Sequence, residues 1–333
     1  MMNRLAIIGG GSWGSALSIV LAPRFPDVRL WVWEQDLAAR MRQTRENDVY
    51  LPGFRLPESV RVAAGFGEAL EGADIVLSVT PSHVTRVLYS QMLPHLEPAM
   101  LFVSATKGLE NGTLARMSQV IRQVVGARFS PRVAVLSGPT FAREVAGGEP
   151  AALVIASDDR ELNSAIQLAF SGPTFRLYTN DDPVGVELAA SLKNVIAIGA
   201  GVANGLGLGS NAIAALSTRG LAEITRLATA LGGKPATLAG LAGLGDLVLT
   251  CSGALSRNRQ VGIELGRGRA LAEILGAMRM VAEGVQTTYA AVDLARRHGV
   301  EMPITLQVNA ILRGERSPRQ AIRELMERSL KSE

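Results

Sequence analysis

The sequence predicts an α/β N-terminal domain with a mainly parallel sheet, followed by an all-α C-terminal domain. In the first half, short apolar runs alternate with helix-like stretches, which is the pattern of buried parallel strands covered on both faces. After about residue 180, β-branched runs become rare and long Ala/Leu/Gly-rich stretches take over. We therefore expect two domains, residues 1–181 and residues 182–333, a natural division for a chain of 333 residues.

The individual elements follow from these patterns. Apolar runs predict strands at residues 5–8, 28–33, 74–79, 101–104, 133–136, 152–155 and 174–178. Helices are predicted between them, at residues 15–22, 83–91, 113–125 and 159–170. The pair Asp182 and Pro183 is typical of a helix start, with Asp as the cap and Pro in the first turn. We expect the helical domain to begin there.

A glycine-rich segment directly follows the first predicted strand. Gly9, Gly11 and Gly14 match the spacing G-x-G-x-x-G, which brings a dinucleotide pyrophosphate close to the start of a helix. The motif alone is weak, because glycine-rich turns are common. Here a strand precedes it, helix-forming residues follow, and the acid Glu34 lies twenty residues past Gly14, where a ribose-binding acid is expected. The segment therefore predicts a Rossmann-type site for NAD(H) or NADP(H).

Composition and charge exclude several classes of function. The 34 basic residues are scattered among 30 acidic ones, so nucleic-acid binding is not indicated. Cys251 is the only cysteine and cannot form an internal disulfide; we interpret it as a small core residue in a reducing compartment. The first strand begins almost at once, and no stretch of ~18 uninterrupted apolar residues exists. We expect a cytoplasmic protein without membrane insertion, and no metal site.

Two charged residues stand alone in apolar stretches. Lys193 is the only charged residue between Glu187 and Arg219. If Lys193 is buried, the loss of solvation disfavours its ammonium form and lowers its pKa, which makes the side chain suitable for acid/base catalysis. The alternative is a surface lysine whose apolar stem packs on its neighbours. Asp246 is the only charge within residues 235–256, and a buried carboxylate needs a partner. Lys193 is a candidate partner; an ordinary helix cap is the alternative for Asp246.

Several polar residues are candidates for binding an anion. Ser256, Arg257 and Asn258 combine a guanidinium fork with neutral donors, although solvated loop arginines are common. Lys107 follows a predicted strand, where a cation can neutralise a ligand phosphate. His83 is a weaker alternative as the acid/base, since no carboxylate nearby in sequence would orient it.

Three loops at strand ends are expected to face the cofactor, because ligands bind at the carboxyl ends of strands in such sheets. These loops are residues 80–83, 105–108 and 137–140.

Seven segments, taken together and in this order, carry a resemblance to a known family. They are residues 9–14, 104–110, 137–142, 192–199, 243–247, 256–259 and 281–285. On the basis of these segments, the chain resembles the bacterial-type NAD(P)-dependent sn-glycerol-3-phosphate dehydrogenase family. The resemblance implies an oxidoreductase that reversibly reduces dihydroxyacetone phosphate to sn-glycerol 3-phosphate with NAD(P)H, supplying the glycerophospholipid backbone.

The resemblance also implies roles for individual residues, with Lys193 as the general acid/base. The implied substrate contacts are Lys107, Gly138, Thr140, Lys193, Asp246, Ser256, Arg257 and Asn258. The implied cofactor contacts are Gly9, Gly11, Ser12, Trp13, Gly14, Trp33, Glu34, Lys107, Ala142, Arg257, Val281 and Glu283.

Glu34 departs from a common pattern of this family, in which a basic residue lies near this position. A carboxylate repels the 2′-phosphate of NADPH and accepts the 2′-hydroxyl of NADH. We therefore hypothesise a preference for NADH, which Arg40, Arg42 and Arg45 nearby could reverse.

Two other functions compete with the resemblance. One is a related Rossmann-plus-helical dehydrogenase acting on a 3-hydroxy acid or ketopantoate, and the other is a non-catalytic sensor that binds NAD(H). Helical second domains of this type often pair, so a homodimer is a further possibility.

Overall fold

The computed structural model describes residues 2–278 and 282–330. The strands are β1 (Arg4–Ile8), β2 (Asp27–Trp31), β3 (Glu46–Asn47), β4 (Leu51–Arg55), β5 (Val60–Ala63), β6 (Ile75–Ser78), β7 (Leu101–Ser104), β8 (Arg132–Ser137), β9 (Ala151–Ala156) and β10 (Phe175–Asn180). The helices of the first half are α1 (Ser12–Leu21), α2 (Gln35–Thr44), α3 (Phe66–Leu70), α4 (Thr85–Met92), α5 (Met117–Val125), α6 (Ala142–Ala146) and α7 (Arg160–Phe170).

The second half contains only helices among its described residues. These are α8 (Pro183–Gly205), α9 (Ser210–Ala230), α10 (Pro235–Leu238), α11 (Asp246–Ser252), α12 (Arg257–Gly266), α13 (Leu271–Gly276), α14 (Glu283–Arg297), α15 (Pro303–Leu312) and α16 (Pro318–Met326). Asp182 caps α8, since its Oδ1 accepts the N–H of Gly185 at 2.8 Å. The helix therefore begins where the Asp-Pro pair predicts, and the all-α second half is confirmed.

Eight strands form one sheet in the order β10-β9-β8-β7-β6-β1-β2-β5. All neighbours pair in parallel except β8 and β9, so the predicted mainly parallel α/β fold is confirmed. Strand β1 is buried on both faces, as is typical of parallel sheets. Leu5 and Ile7 belong to the core on one face, and Ala6 and Ile8 belong to the core on the other. The carboxyl ends of β1, β2, β6, β7 and β8 consequently lie along one edge.

The structure adds strands that the pattern did not indicate and shortens one helix. Strand β5 has only four residues, and β3 pairs with β4 in a small antiparallel hairpin. The helix predicted at residues 113–125 begins only at Met117. Residues 109–116 instead form a tight loop, closed by a bridge between Leu109 and Arg116, in which Gly112 and Leu114 have positive φ angles of 84° and 62°.

The chain forms two compact units. One comprises Met1–Glu110 and Ala115–Glu187, and the other Asn111–Leu114 and Leu188–Glu333. The first unit contains the whole eight-stranded sheet, and the second contains most of α8 and all the helices that follow it.

Within the second unit, α8 and α12 touch through their backbones. A Cβ on Gly201 would lie 2.0 Å from the carbonyl oxygen of Arg259, and a Cβ on Gly262 would lie 2.0 Å from that of Ile198. One turn further, Gly205 and Gly266 make similar approaches, so both helices carry glycines four residues apart on the shared face. We call these four glycines the glycine seam. It packs the C-terminal end of α8 directly against α12.

Two helical stretches among the described residues have the length and hydropathy of a membrane span. They are Pro183–Gly205, with mean hydropathy 1.4, and Pro235–Ser252, with 1.3. The apolar window of the first is entirely buried inside the protein and that of the second is 44% buried. Such helices are weak indications of a span, because core helices have the same composition.

Candidate functional site

In the turn between β1 and α1, Gly9 and Gly14 lie too close to backbone atoms to carry a side chain. Gly9 has a φ of +123°, and a Cβ there would lie 2.5 Å from the carbonyl oxygen of Val79. A Cβ on Gly14 would lie 1.8 Å from the carbonyl oxygen of Gly9. A Cβ on Gly11, in contrast, would have no described atom within 4 Å. Gly11 thus leaves open space beside the first turn of α1, whose N–H groups have no intrahelical acceptors, and this arrangement fits a pyrophosphate.

The loop between β3 and β4 is bonded to this turn. Asn47, only 1% exposed, donates from Nδ2 to the carbonyl oxygen of Gly10 at 2.7 Å and to Oγ of Ser15 at 2.8 Å. In return, the Ser12 hydroxyl donates to the carbonyl oxygen of Tyr50 at 2.7 Å. The glycine turn and the 47–50 loop therefore form one hydrogen-bonded assembly.

The end of β2 presents an aromatic ring and an acid. Trp33 is 64% exposed and packs edge-on against Trp31, with ring centroids 6.1 Å apart. Glu34 is exposed, and its Oε1 accepts the phenol hydroxyl of Tyr50 at 2.6 Å. This hydrogen bond is the main reason that the pKa of Tyr50 rises to about 12. Trp13 is half-buried, and its indole N–H has no acceptor within the described ranges.

The three arginines near this acid are bonded elsewhere. Arg40 pairs with Asp48 at 3.2 Å. Arg42 donates to a backbone carbonyl in β5 at 3.0 Å, and Arg45 donates to the carbonyl oxygen of Pro57. In the part of the chain that the structure describes, the acid at the end of β2 accepts no bond from any of them.

The three loops expected at the cofactor edge lie side by side. The Thr106 hydroxyl accepts the N–H of Thr80 at 3.2 Å and donates to its carbonyl oxygen at 2.9 Å. Lys107 Nζ donates to the carbonyl oxygen of Gly138 at 3.1 Å, and the Thr140 hydroxyl donates to the same oxygen at 3.3 Å. Gly138 has a φ of +150° and leaves no room for a side chain against the backbone of β9.

Two further candidates from the sequence lie in this unit. Ala142 is the first residue of α6 and is half-buried. His83 is exposed, in a short 3₁₀ turn, which gives it none of the enclosure expected of a general acid.

In the helical unit, Lys193 is buried and paired. Its Nζ donates to Oδ1 of Asp246 at 2.5 Å and to Oγ1 of Thr250 at 2.8 Å. Lys193 is 5% exposed and Asp246 is fully buried. The Thr250 hydroxyl in turn donates to the backbone carbonyl of Asp246 at 2.5 Å. The structure thus realises the ion pair that the two solitary charges suggested, rather than a surface lysine.

Thr250 was not among the residues singled out from the sequence. The spacing in the sequence could have identified Thr250, because it lies four residues after Asp246 and both side chains therefore share a face of α11. A π-helical turn, Leu241–Gly245, precedes α11, and Gly243 is packed so closely that a Cβ would lie 2.0 Å from the carbonyl oxygen of Leu238.

The segment Ser256 to Asn258 opens α12. Ser256 is its N-cap, with Oγ accepting the N–H of Arg259 at 3.2 Å. Asn258 Oδ1 accepts the N–H of Gly284 at 2.9 Å, which fixes the amide orientation and directs Nδ2 away from that bond. The Arg257 side chain is exposed. Desolvation by surrounding protein atoms nevertheless lowers its pKa, while the negative charge of Glu283 acts in the other direction and raises it.

The start of α14 closes this cluster. Glu283 is the first residue of α14, and a Cβ on Gly284 would lie 2.7 Å from Asn258 Oδ1 and 2.8 Å from the carbonyl oxygen of Asn194. Val281, which the resemblance implies as a cofactor contact, lies outside the described residues.

Cys251 is 2% exposed, and burial raises the pKa of its thiol to about 11. It is therefore a neutral core residue at ordinary pH, as interpreted from the sequence. Among the described residues, no group of three or more His, Cys, Asp or Glu side chains is arranged to hold a metal ion.

Comparison with known proteins gives a consistent result over nearly the whole chain. Family profiles described as the N-terminus and the C-terminus of NAD-dependent glycerol-3-phosphate dehydrogenase match residues 4–163 and 182–323. A glycerol-3-phosphate dehydrogenase [NAD(P)+] from Koribacter versatilis is 60% identical over 329 residues, covering 98% of each chain. One from Geobacter sulfurreducens is 51% identical over 333 residues, covering 100% of this chain and 99% of the other.

A solved structure is also similar. The crystal structure of a glycerol-3-phosphate dehydrogenase from Coxiella burnetii superimposes with a TM-score of 0.94 at 42% identity, covering 98% of this chain and 99% of the other.

Proposed function

The chain belongs to the NAD-dependent glycerol-3-phosphate dehydrogenase family, and we propose on this basis that it reversibly reduces dihydroxyacetone phosphate to sn-glycerol 3-phosphate. The observation that carries the proposal is the buried pair of Lys193 and Asp246 in the helical unit. A sensor that only binds nucleotide has no need of a buried proton donor. The alternatives of a ketopantoate-type or 3-hydroxy-acid dehydrogenase receive no support from the relatives at 51–60% identity, which are named glycerol-3-phosphate dehydrogenase [NAD(P)+].

The enzyme uses a nicotinamide dinucleotide, for which the glycine turn is the fitting site. The open position at Gly11 and the unbonded N–H groups at the start of α1 suit a pyrophosphate. When bound, the nicotinamide supplies the hydride that reduces the substrate carbonyl carbon. The remaining contacts proposed for the cofactor are Gly9, Ser12, Trp13, Gly14, Trp33, Glu34, Lys107, Ala142, Arg257, Val281 and Glu283.

Lys193 is the proposed general acid. As an ammonium ion it donates a hydrogen bond to the substrate carbonyl oxygen and transfers its proton as that oxygen becomes an alkoxide. Asp246 and Thr250 hold Nζ by bonds of 2.5 Å and 2.8 Å, so the amine needs little reorganisation before proton transfer. In the oxidation of glycerol 3-phosphate, neutral Lys193 accepts the hydroxyl proton.

Arg257 and Asn258 are the proposed anchors of the substrate phosphate. Arg257 is exposed at the start of α12. Asn258 bonds to Gly284 through Oδ1, so its Nδ2 donor takes no part in that bond. Binding energy from the unreactive phosphate can then be directed to orienting the carbonyl. The other proposed substrate contacts are Lys107, Gly138, Thr140, Asp246 and Ser256.

We further propose that NADH is the preferred cofactor. Glu34 lies exposed at the end of β2, and Arg40, Arg42 and Arg45 are bonded to other groups. None of the three arginines therefore pairs with Glu34, which supports the proposed role of this acid in accepting a ribose 2′-hydroxyl and repelling a 2′-phosphate. The comparison of kcat/KM for NADH and NADPH tests this preference, and a clear advantage of NADPH would contradict it.

We also propose that residues 1–181 form the NAD(P)-binding domain, with most of the cofactor contacts, and that residues 182–333 form the substrate and catalytic domain, which supplies the proton donor and the phosphate anchors. A cytoplasmic location without membrane insertion fits the complete burial of the apolar window in α8. A homodimer is proposed from the helical character of the second unit alone.

The test of the proposed function is NADH oxidation with dihydroxyacetone phosphate, with unphosphorylated dihydroxyacetone as the control. We expect turnover that depends strongly on the phosphate. Equal rates with both ketones, or none with either, would contradict the proposal.

A further inference from the structure

The 47–50 loop connects two parts of the dinucleotide site that are far apart in sequence. Its first residue, Asn47, is bonded to the glycine turn through Gly10 and Ser15. Its last residue, Tyr50, is bonded by its carbonyl oxygen to Ser12 and by its hydroxyl to Glu34. Four hydrogen bonds between 2.6 and 2.8 Å therefore tie the loop to the glycine turn and to the acid at the end of β2.

We propose that Tyr50 is a positioning residue for cofactor selectivity, which holds the Glu34 carboxylate where it accepts a ribose hydroxyl and repels a 2′-phosphate. This inference rests on the proposed function and deepens its preference for NADH.

The geometry explains why Glu34 needs such a partner. The side chain is exposed, so without a partner its carboxylate would sample several rotamers. The phenol of Tyr50 occupies Oε1, whereas Oε2 accepts no hydrogen bond from the described residues. One oxygen is thus fixed by the protein and the other is directed to a ligand donor. Because the same loop is bonded to the glycine turn, the distance from the acid to the pyrophosphate site is also fixed.

The phenol is a reliable donor for this purpose. Its pKa of about 12 keeps the hydroxyl protonated throughout the pH range in which dehydrogenases are assayed. The bond from Ser12 to Tyr50 involves only the backbone carbonyl of the tyrosine, so replacing tyrosine by phenylalanine removes the hydroxyl and leaves the loop attached.

The test is a binding measurement on Tyr50→Phe, independent of turnover. Dissociation constants for NADH and NADPH are measured by energy transfer from protein tryptophan to the nicotinamide. We expect NADH to bind roughly 3- to 10-fold more weakly, the range for one lost hydrogen bond, and NADPH to bind equally well or better. Tyr178→Phe, at an exposed tyrosine in β10, is the matched control and should change neither constant.

A second background separates positioning from direct contact. In a Glu34→Ala variant, the hydroxyl of Tyr50 has no acid to orient, so adding Tyr50→Phe should leave the NADH to NADPH ratio unchanged. If Tyr50→Phe weakens NADH equally in both backgrounds, or has no effect in the natural one, the inference is wrong. A natural protein that prefers NADPH, or that binds neither nucleotide, would instead refute the proposed cofactor preference and the inference with it. If the protein reduces dihydroxyacetone phosphate normally with NADH, but Tyr50→Phe leaves the ratio of the NADH and NADPH dissociation constants unchanged, only the inference about Tyr50 is wrong.

Discussion

Lys193 and Asp246 form an ion pair of 2.5 Å in which the carboxylate is fully buried and the lysine only 5% exposed. A pair of this kind seldom adds much net stability, because desolvation of both charges offsets their attraction. Its presence in an otherwise apolar region agrees with the proposed role of Lys193 as general acid, since the carboxylate stabilises an ammonium ion inside the protein.

Removing the amine should abolish most of the catalysis. We expect Lys193→Ala to reduce kcat by ~10²–10⁴, the usual contribution of general acid/base catalysis, with NADH binding nearly unchanged. Steady-state rates with saturating dihydroxyacetone phosphate, together with nucleotide titration, measure the two effects. Turnover close to that of the natural enzyme would remove Lys193 from the mechanism.

The two charges should be strongly coupled in stability. Asp246→Leu leaves a buried ammonium ion without its carboxylate partner and should cost about 3–5 kcal/mol, whereas the double replacement of Lys193→Met with Asp246→Leu should cost much less than the sum of these two single changes. Denaturant unfolding curves measure stability, and both variants should be inactive. Additive losses would show that the pair is not coupled in solution.

The guanidinium at the start of α12 should matter more for the phosphorylated substrate than for the unphosphorylated ketone. At saturating NADH, we expect Arg257→Ala to lower kcat/KM for dihydroxyacetone phosphate by roughly 10- to 100-fold, the value of one charged hydrogen bond, and to lower the slow reaction of dihydroxyacetone much less. Arg267→Ala, just beyond the other end of the same helix, removes an exposed arginine paired with Glu264 and serves as the control. Equal losses with both ketones would place Arg257 outside the phosphate site.

The glycine seam should be intolerant of a single methyl group. A Cβ at Gly262 would lie 2.0 Å from the carbonyl oxygen of Ile198, so Gly262→Ala must push α8 and α12 apart. We expect a loss of roughly 1–3 kcal/mol, as for other overpacked contacts, and a raised KM because α12 carries Arg257. Thermal unfolding measures the stability of this variant. Gly276→Ala is the control, because a Cβ there meets no described atom within 4 Å, and it should leave stability unchanged. A seam variant as stable as that control would contradict the packing.

The buried thiol gives a pH-dependent prediction. Burial raises the pKa of Cys251 from 9.0 to about 11, so the folded protein favours the neutral thiol. The stability gained from this is fully present below about pH 9 and is lost as the pH rises through about 11. At pH 8, iodoacetamide should therefore alkylate the native protein far more slowly than the urea-unfolded chain. Equal labelling rates would show that the thiol is accessible and ionised normally.

Local patterns predicted the features that depend on residues close in sequence. The continuous apolar runs identified most strands of the sheet, and the Asp-Pro pair located the start of α8. Strand β5 escaped detection because the charged Arg61 interrupts its apolar run, whereas the equally short β6 and β7 have continuous apolar runs. Residues 113–116 were wrongly predicted as the start of a helix, because leucine and alanine are helix formers and the positive φ angle of Leu114 has no signal in the sequence.

The sequence by itself determined the α/β and all-α halves, the glycine turn and the two solitary charges, because each depends on periodicity or spacing within a short window. Only the tertiary structure decided which partners those residues have. Thr250 as a second partner of Lys193, Tyr50 on Glu34, Asn47 on the glycine turn and the contact between α8 and α12 all join segments distant along the chain. The physical reason is that hydrogen-bond partners and backbone contacts are set by how whole helices and strands pack, which local residue spacing does not encode.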